Sequence, residues 1–198
     1  MAKVEDRLAR FYAFSDGIFA VIITVMVLAF KPPTGHDFRA LSGLWPDLIS
    51  YAVSYAFIAV VWLNHHAVLR NAQQLTGTLA LANFANLFAI SFIPFTTAWL
   101  AESELASFPL TFYALVFLLV QGTYMVLMWE SFSHLPDDGD PRARKWQWFR
   151  AWVMLGVFFV CTAGVFIPPV LRLILLASFL ILYCRPDPFR RARSTARD

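Results

Sequence analysis

The sequence predicts an all-α integral membrane protein with six transmembrane helices. Of its 198 residues, 59% are hydrophobic and only 15% are charged, whereas soluble domains average about 45–50% apolar and about 25% charged residues. Six apolar segments approach the roughly 20 residues that a helix needs to cross a bilayer. Polar or proline-rich stretches separate these segments, and the basic residues are divided among those stretches as six crossings require. A single six-helix membrane domain over residues 1–198 is therefore expected.

The apolar segments define the expected spans in chain order. They run at about 11–30, 47–69, 78–101, 107–130, 148–167 and 168–184. Lys31-Pro32-Pro33 ends the first span, and Pro168-Pro169 separates the last two, because proline cannot donate a backbone hydrogen bond and restricts the residue before it. Pro94 is expected to kink the third span. The polar run at 131–144 is the longest predicted loop, and a basic tail follows at 185–198.

The distribution of positive charge orients the chain in the membrane. With six spans and a cytoplasmic N-terminus, thirteen of the sixteen lysines and arginines fall on the cytoplasmic side, which leaves Lys31, Arg39 and Arg172 for the other side. The positive-inside rule therefore predicts a multi-pass protein of the cell membrane with both termini in the cytoplasm. The arginines of the 185–198 tail are interpreted as fixing this orientation, with anionic lipid headgroups as their alternative partners.

The first span carries an ionisable residue that a purely lipid-facing anchor would not need. Phe14-Ser15-Asp16-Gly17 lies inside the apolar run, and a charged side chain near mid-bilayer costs roughly 2.5–3.5 kcal/mol. This helix is therefore expected to face protein or water on part of its circumference. A helical wheel places four further residues within an arc of about 100°, namely Val21, Thr24, Val25 and Leu28. Asp16 lies about 140° away from Val21 on the same wheel, so it cannot share a pore with this stripe.

The stripe allows two interpretations. A ring of valine and leucine side chains in a channel can gate by dewetting, and a threonine hydroxyl beside it can replace part of an ion's hydration shell. The same stripe could instead be ordinary lipid-facing or packing surface. A six-helix unit has no axis of its own, so a channel would need several subunits around a common axis.

Polar residues near the cytoplasmic ends of the second and third spans are expected to pair with those of the first. The candidates for this buried network are Arg10, Ser15, Asp16, Asn64, His65 and His66, with Asn83 and Asn86 from the third span. Such a network is stable only when every member is paired. The adjacent histidines point to different faces of a helix and have no carboxylate or cysteine at ligand spacing, so no metal site is expected.

The residue pattern excludes several classes of function. No nucleophile with a base, carboxylate pair or metal site is recognisable, so an intramembrane enzyme is not expected, and nothing indicates a cofactor or a nucleic acid partner. Cys161 and Cys184 lie in apolar segments and are predicted to be buried small hydrophobes. The last three helices hold little polar chemistry and are expected to be scaffold and lipid contact. The Phe-Ser-Asp-Gly step is not duplicated, unlike the internal repeats of many transporters.

Three stretches in the first half of the chain together form a recognisable family signature. They are Arg10-Phe11-Tyr12-Ala13-Phe14-Ser15-Asp16-Gly17, Trp62-Leu63-Asn64-His65-His66, and the segment from Asn86 to Phe95. The first fits the pattern R-x-x-x-F-S-D and leads into the apolar run to Leu28. Together they resemble the transmembrane protein 175 family of lysosomal and bacterial potassium channels, while the second half of the chain matches that family only in hydrophobicity.

The resemblance implies a homotetrameric potassium channel that lacks a T-V-G-Y-G filter. The first helices would line its pore, and the family's hydrophobic constriction and threonine layer map onto Val21, Thr24, Val25 and Leu28. The family's polar contacts between its first three helices map onto Arg10, Ser15, Asp16 and the stretch from Trp62 to His65. Val21 is smaller than the isoleucine or leucine expected at the tightest ring, so Val21, Val25 and Leu28 all stay candidates for it. The partners implied are other copies of the chain, membrane lipid and potassium ions.

Two alternatives to a potassium channel remain open at this stage. A proton-permeable or proton-regulated channel would use His65 or Asp16 as its titrating group, and a non-conducting membrane scaffold would pass no ions. In the potassium-channel interpretation, Asp16 holds the pore helix in position and does not bind ions directly.

Overall fold

The computed structural model describes residues 2–33, 35–70, 72, 74–133 and 141–178, with side chains from Arg7 onward. Within these ranges the regular elements are all helices: α1 (Ala2–Val27), α2 (Phe38–Ser42), α3 (Trp45–Leu69), α4 (Gly77–Ile90), α5 (Ile93–Glu102), α6 (Ser107–Ser133), α7 (Pro141–Ala163) and α8 (Pro169–Ala177). The predicted 131–144 loop is shorter than expected, since residues 131–133 continue α6 and residues 141–144 begin α7. Residues 134–140, the end of the predicted sixth span, Cys184 and the 185–198 tail lie outside the described residues.

Four helical stretches in the described ranges are long and apolar enough to cross a membrane. They are Arg7–Val27, Trp45–Leu69, Gly77–Glu102 and Ser107–Ser133. The predicted class, an all-α multi-pass membrane protein, is confirmed. The fifth and sixth spans stay predictions, since α7 carries four basic residues in its first ten positions and α8 is described over nine residues only.

The third span is interrupted close to Pro94, as predicted. Helix α4 ends at Ile90, and α5 begins at Ile93 with Pro94 in its first turn, where the missing N–H of proline costs no helical hydrogen bond. The intervening turn keeps its backbone bonded, because Ser91 N–H donates to Leu87 O at 3.0 Å and Phe92 N–H donates to Ala89 O at 3.3 Å. The break therefore interrupts the helix without leaving these two donors unpaired.

Helix α6 forms the centre of the bundle, and α1 lies at its edge. Helix α6 packs against α3, α4, α5, α7 and α8, whereas α1 packs mainly against α3 and α5. In their apolar stretches, 56% of the α6 residues are buried but only 28% of the α1 residues. The centre is aromatic: the Phe57 ring stacks on Phe117 with centroids 3.8 Å apart, and Phe158 meets both rings edge-on. The apolar surface that α1 leaves uncovered must meet lipid, another protein surface or a pore.

Contacts near the two ends of its apolar stretch, Arg7–Val27, fix how α1 runs through the bundle. Near its start, Tyr12 Oη donates to Leu69 O at the end of α3 at 2.9 Å. Just beyond its end, Lys31 pairs with Glu102 at the end of α5. We refer to the end of the bundle with Tyr12 and Leu69 as the near end, and to the end with Lys31 and Glu102 as the far end. In the predicted topology the near end is cytoplasmic.

Candidate functional site

Val21, Thr24 and Val25 lie together on the uncovered face of α1, and Leu28, the fourth residue of the stripe, follows in the turn directly after the helix ends at Val27. Val21 is 59% exposed, Val25 is 44% exposed and Leu28 is 78% exposed, and Thr24 is exposed between them. The buried face of the same helix consists of Phe19, Ile22 and Met26, with exposures of 2%, 7% and 2%. The stripe is therefore not core packing within one subunit, which leaves lipid, a neighbouring subunit or a pore as its surroundings.

The Thr24 hydroxyl is oriented by its own helix. Its Oγ1 donates to Ala20 O and Val21 O, both at 3.0 Å. A hydroxyl oxygen that donates its proton keeps two lone pairs as acceptors, and lone pairs are what a cation binds. The side chain thus offers an oxygen ligand in the middle of an otherwise apolar stripe.

A buried series of hydrogen bonds connects α1, α4 and α3 in the half of the bundle at the near end. Asn83 Nδ2 donates to Ser15 Oγ at 3.0 Å, and Asn83 Oδ1 lies 2.6 Å from His65 Nε2. All three residues are at most 1% exposed. Because the amide oxygen can only accept, Nε2 of His65 carries the proton in this contact. Ser15 Oγ donates in turn to Phe11 O at 3.2 Å, so each of these side chains is paired.

Asp16 makes a second contact between α1 and α3, at the edge of the bundle. Trp62 Nε1 donates to Asp16 Oδ1 at 2.8 Å, with the indole 37% exposed and the aspartate half-buried. Two adjacent residues of α1, Ser15 and Asp16, are thus held from different directions. This arrangement restricts rotation of α1 about its own axis, and so sets the direction in which the stripe points.

The remaining predicted members of the network lie apart from the hydrogen bonds that join Ser15, Asn83 and His65. Asn64 Nδ2 donates to Val60 O of its own helix at 2.7 Å, and Arg10 is exposed. Asn86 contacts α6 instead, since its Nδ2 donates to Val120 O and to Thr123 Oγ1, each at 3.0 Å. In the described part of the chain, no group of three or more histidine, cysteine or acidic side chains could hold a metal ion.

A cluster of hydroxyl groups joins α3, α5 and α6 deeper in the bundle. Ser54 Oγ lies 2.7 Å from both Thr97 Oγ1 and Tyr113 Oη, and Thr97 Oγ1 donates to Ile93 O at 2.7 Å. Since Thr97 has given its proton to that carbonyl, Ser54 donates to Thr97 and Tyr113 donates to Ser54. The sequence signal for this cluster was three isolated hydroxyl residues in apolar helices, which by themselves indicate no pairing.

Arg172 is the most deeply buried charged side chain described, with 0% exposure. Its Nε and Nη2 donate to Cys161 O at 2.9 and 2.6 Å, and Nη2 also donates to Thr111 Oγ1 at 2.7 Å. Its Nη1 reaches Ser107 Oγ at 3.3 Å and Ser107 O at 3.4 Å. The expectation of little polar chemistry in the last three helices is therefore wrong. The available signal was a lone arginine inside the apolar run that begins at Pro169.

An exposed ion pair lies at the far end, three residues beyond Leu28. Lys31 and Glu102 are paired, with their side chains 81% and 59% exposed. The hydrogen bond from Lys31 to Glu102, together with the negative charge of Glu102 and a smaller contribution from Asp47, raises the pKa of Lys31. All three charged residues line one cleft at the far end.

The chain is similar in sequence to known channels. Residues 10–94 match the family model described as endosomal/lysosomal potassium channel TMEM175. A potassium channel of Chryseobacterium sp. (strain P1-3) is 33% identical over 118 residues, which are 60% of this chain and 62% of that protein. A potassium channel of Streptomyces collinus is 33% identical over 144 residues, which are 67% of this chain and 68% of that protein. The mouse endosomal/lysosomal proton channel TMEM175 is 27% identical over 97 residues, which are 43% of this chain and 19% of that protein.

A solved structure has a similar fold. It is the crystal structure of a lysosomal potassium-selective channel TMEM175 homolog from Chamaesiphon minutus. The TM-score is 0.80 at 27% sequence identity, and the match covers 90% of this chain and 97% of that one. The structural likeness therefore extends well beyond residue 94, where the match to the family model ends.

Proposed function

This chain belongs to the TMEM175 family of ion channels, and we propose that it forms a potassium-selective channel of the cell membrane. The observation that carries the proposal is the stripe on α1, which stays exposed on a helix whose rotation is held by two separate contacts. The bacterial relatives named potassium channel support potassium as the permeant ion. No described feature points to a cofactor for this activity.

The proposed assembly is a homotetramer of six-span subunits around a central pore, with both termini in the cytoplasm. Helix α1 is suited to the axis because it lies at the edge of its own subunit and leaves most of its apolar stretch unburied. Closed cyclic symmetry is the usual way in which identical subunits surround a common axis. The outer surfaces of the subunits would then meet lipid, and each subunit would contribute one copy of the stripe.

The proposed pore combines apolar rings with a layer of threonine oxygens. Val21, Val25 and Leu28 would form rings that resist wetting, so ions would pass with part of their hydration shell removed. Thr24 would supply acceptor oxygens between these rings. Asp16 would take no direct part, since its carboxylate is bonded to Trp62 on another side of the helix.

The first test of this proposal is the reversal potential of the purified protein in a planar bilayer with potassium on one side and sodium on the other. A selective channel reverses close to the potassium equilibrium potential. A reversal near zero would overturn selectivity, and the absence of any current from an intact oligomer would favour a non-conducting scaffold.

Val25→Ser is expected to raise the conductance about tenfold, because a hydroxyl in an apolar ring lowers the barrier to hydration. A tenfold change corresponds to roughly 1.4 kcal/mol in that barrier. Single-channel recording in symmetrical potassium measures this change. Val27→Ser is the matched control, since Val27 is similarly exposed at 50% but lies on another face of α1. Equal increases in both variants would argue against a pore along the stripe.

Thr24→Val is expected to reduce discrimination between potassium and sodium, because it removes the acceptor oxygen and keeps the shape of the side chain. Thr24→Ser keeps that oxygen and should retain most of the selectivity. The shift of reversal potential under bi-ionic conditions measures both variants. A valine variant that is as selective as the parent would exclude the threonine layer as the discriminating element.

A second candidate function is proton permeation, which the name of the mouse relative favours. His65 would be the titrating group, because it lies buried in the chain of contacts with Asn83 and Ser15. A reversal potential that follows the pH gradient, and loses that dependence in His65→Ala, would support it. A reversal potential that follows potassium alone would exclude it.

A further inference from the structure

The Lys31–Glu102 pair occupies the place where the chain leaves the proposed pore. Helix α1 ends at Val27, and the chain turns through Leu28 before it reaches Lys31. Leu28 is the last residue of the stripe and the most exposed of its three aliphatic members. If α1 lines the pore, every subunit therefore places one lysine close to the far mouth of the pore.

A ring of lysines at the mouth of a cation pore would repel the cations that the pore has to admit. In this structure Lys31 is paired with Glu102, and Asp47 acts on the same lysine from the first turn of α3. With both carboxylates counted, the cleft carries two negative charges against one positive charge. The cluster is therefore mildly attractive to cations despite the lysine.

We propose that Glu102, by neutralising Lys31, sets the electrostatic potential at the far mouth of the pore and so the rate at which cations enter it. This inference rests on the proposed function, because it needs a pore lined by α1. Symmetry multiplies the effect, since each change of charge is repeated in every subunit. Clefts lined with charge of one sign change the local ion concentration and the entry rate of ions.

The exposure of the pair favours this electrostatic role over a structural one. The side chains are 81% and 59% exposed, and exposed ion pairs contribute little to folding stability because water and salt screen them. Their field nevertheless reaches into the entrance at low salt, where the Debye length is about 30 Å at 0.01 M and about 3 Å at 1 M. A potential set by this pair should therefore depend on the salt concentration.

The test is single-channel conductance of the purified protein in planar bilayers, in symmetrical potassium chloride at about 0.05 M and at about 1 M. Glu102→Gln is expected to lower the conductance about twofold or more at low salt, because Lys31 and Asp47 then cancel and the cleft loses its net negative charge. Lys31→Gln is expected to raise it, because the carboxylates then act alone. The double variant Lys31→Gln with Glu102→Gln should return close to the parent. At high salt all four proteins should conduct alike.

The matched control is Glu104→Gln, which removes the same charge two residues further along at an exposed position. The ion pair described for Lys31 does not involve Glu104, so the change in conductance should be smaller. If Glu102→Gln and Lys31→Gln both lower the conductance, or if their effects persist at high salt, the pair has a structural role and the proposal is overturned. Equal losses in the Glu102 and Glu104 variants would overturn it too. A parent protein without cation current would instead remove the proposed function on which the inference rests.

Discussion

Asn83→Leu is expected to destabilise the folded protein by about 1–3 kcal/mol, the cost of leaving a buried polar group unpaired. Leucine keeps the branched shape of asparagine but cannot accept from His65 or donate to Ser15. Ser15 keeps its bond to Phe11 O, so the unpaired group is chiefly the buried imidazole of His65. Heating the detergent-solubilised protein and measuring the remaining monodisperse oligomer by size-exclusion chromatography gives the loss of stability.

Asn64→Leu is the matched control for this change. Asn64 is half-buried, and its hydrogen bond within the described residues goes to Val60 O of its own helix, so its loss should have a small effect. Similar losses from both substitutions would mean that the contact of Asn83 with α1 and α3 contributes nothing particular. Asn83→Leu should also broaden the distribution of single-channel conductances, because α1 would then lose one of the two side-chain contacts, at Ser15 and Asp16, that restrict its rotation.

The approximate depth of these residues could be predicted from the sequence, but their partners could not. Counting residues from the ends of the spans places Ser15, His65 and Asn83 at one level of the bundle, and the structure joins all three. The same count places Asn64 there as well. Asn64 is placed around the α3 axis so that its side-chain amide bonds to its own helix. That placement depends on packing between helices, which the local sequence does not encode.

Helix ends were predictable only where proline or apolar character marks them. The predicted start of the first span at residue 11 marks where the apolar run begins, whereas α1 begins at Ala2. Backbone hydrogen bonding continues into the polar region because a helix needs no apolar face outside the membrane. The break near Pro94 was predictable from local sequence, because proline restricts the residue before it and favours the first turn of a helix.

Arg172 could not be predicted as a buried group because its partners are largely backbone carbonyls and hydroxyl groups. No acidic residue accompanies it among its described hydrogen bonds, so no charge pairing is visible in the sequence. Cys161 lies in the last turn of α7, where carbonyl groups lack a helical N–H partner. The guanidinium group therefore caps α7, and a cation near a helix C-terminus also interacts favourably with the helix dipole.

Arg172→Met is expected to destabilise the protein by about 2–4 kcal/mol, since hydrogen bonds to charged groups are each worth about 1.5–3 kcal/mol. Methionine keeps the length and apolar stem of the side chain but leaves Cys161 O without its two donors. Arg172→Lys retains the charge with fewer directed donors, so its stability should lie between that of the parent and that of Arg172→Met. The same heating assay ranks the three proteins.

Thr111→Val is the control that separates the cap on α7 from the contact with α6. It removes the partner of a single donor, while Nη2 keeps its bond to Cys161 O, so the loss should be near 1 kcal/mol. A methionine variant as stable as the parent would mean that the desolvation of the guanidinium group cancels its hydrogen bonds. Because Arg172 lies on α8, which is not among the main packing partners of α1, any folded methionine variant should keep the ion selectivity of the parent. Altered selectivity would instead indicate that the far end of α6 to α8 influences the pore.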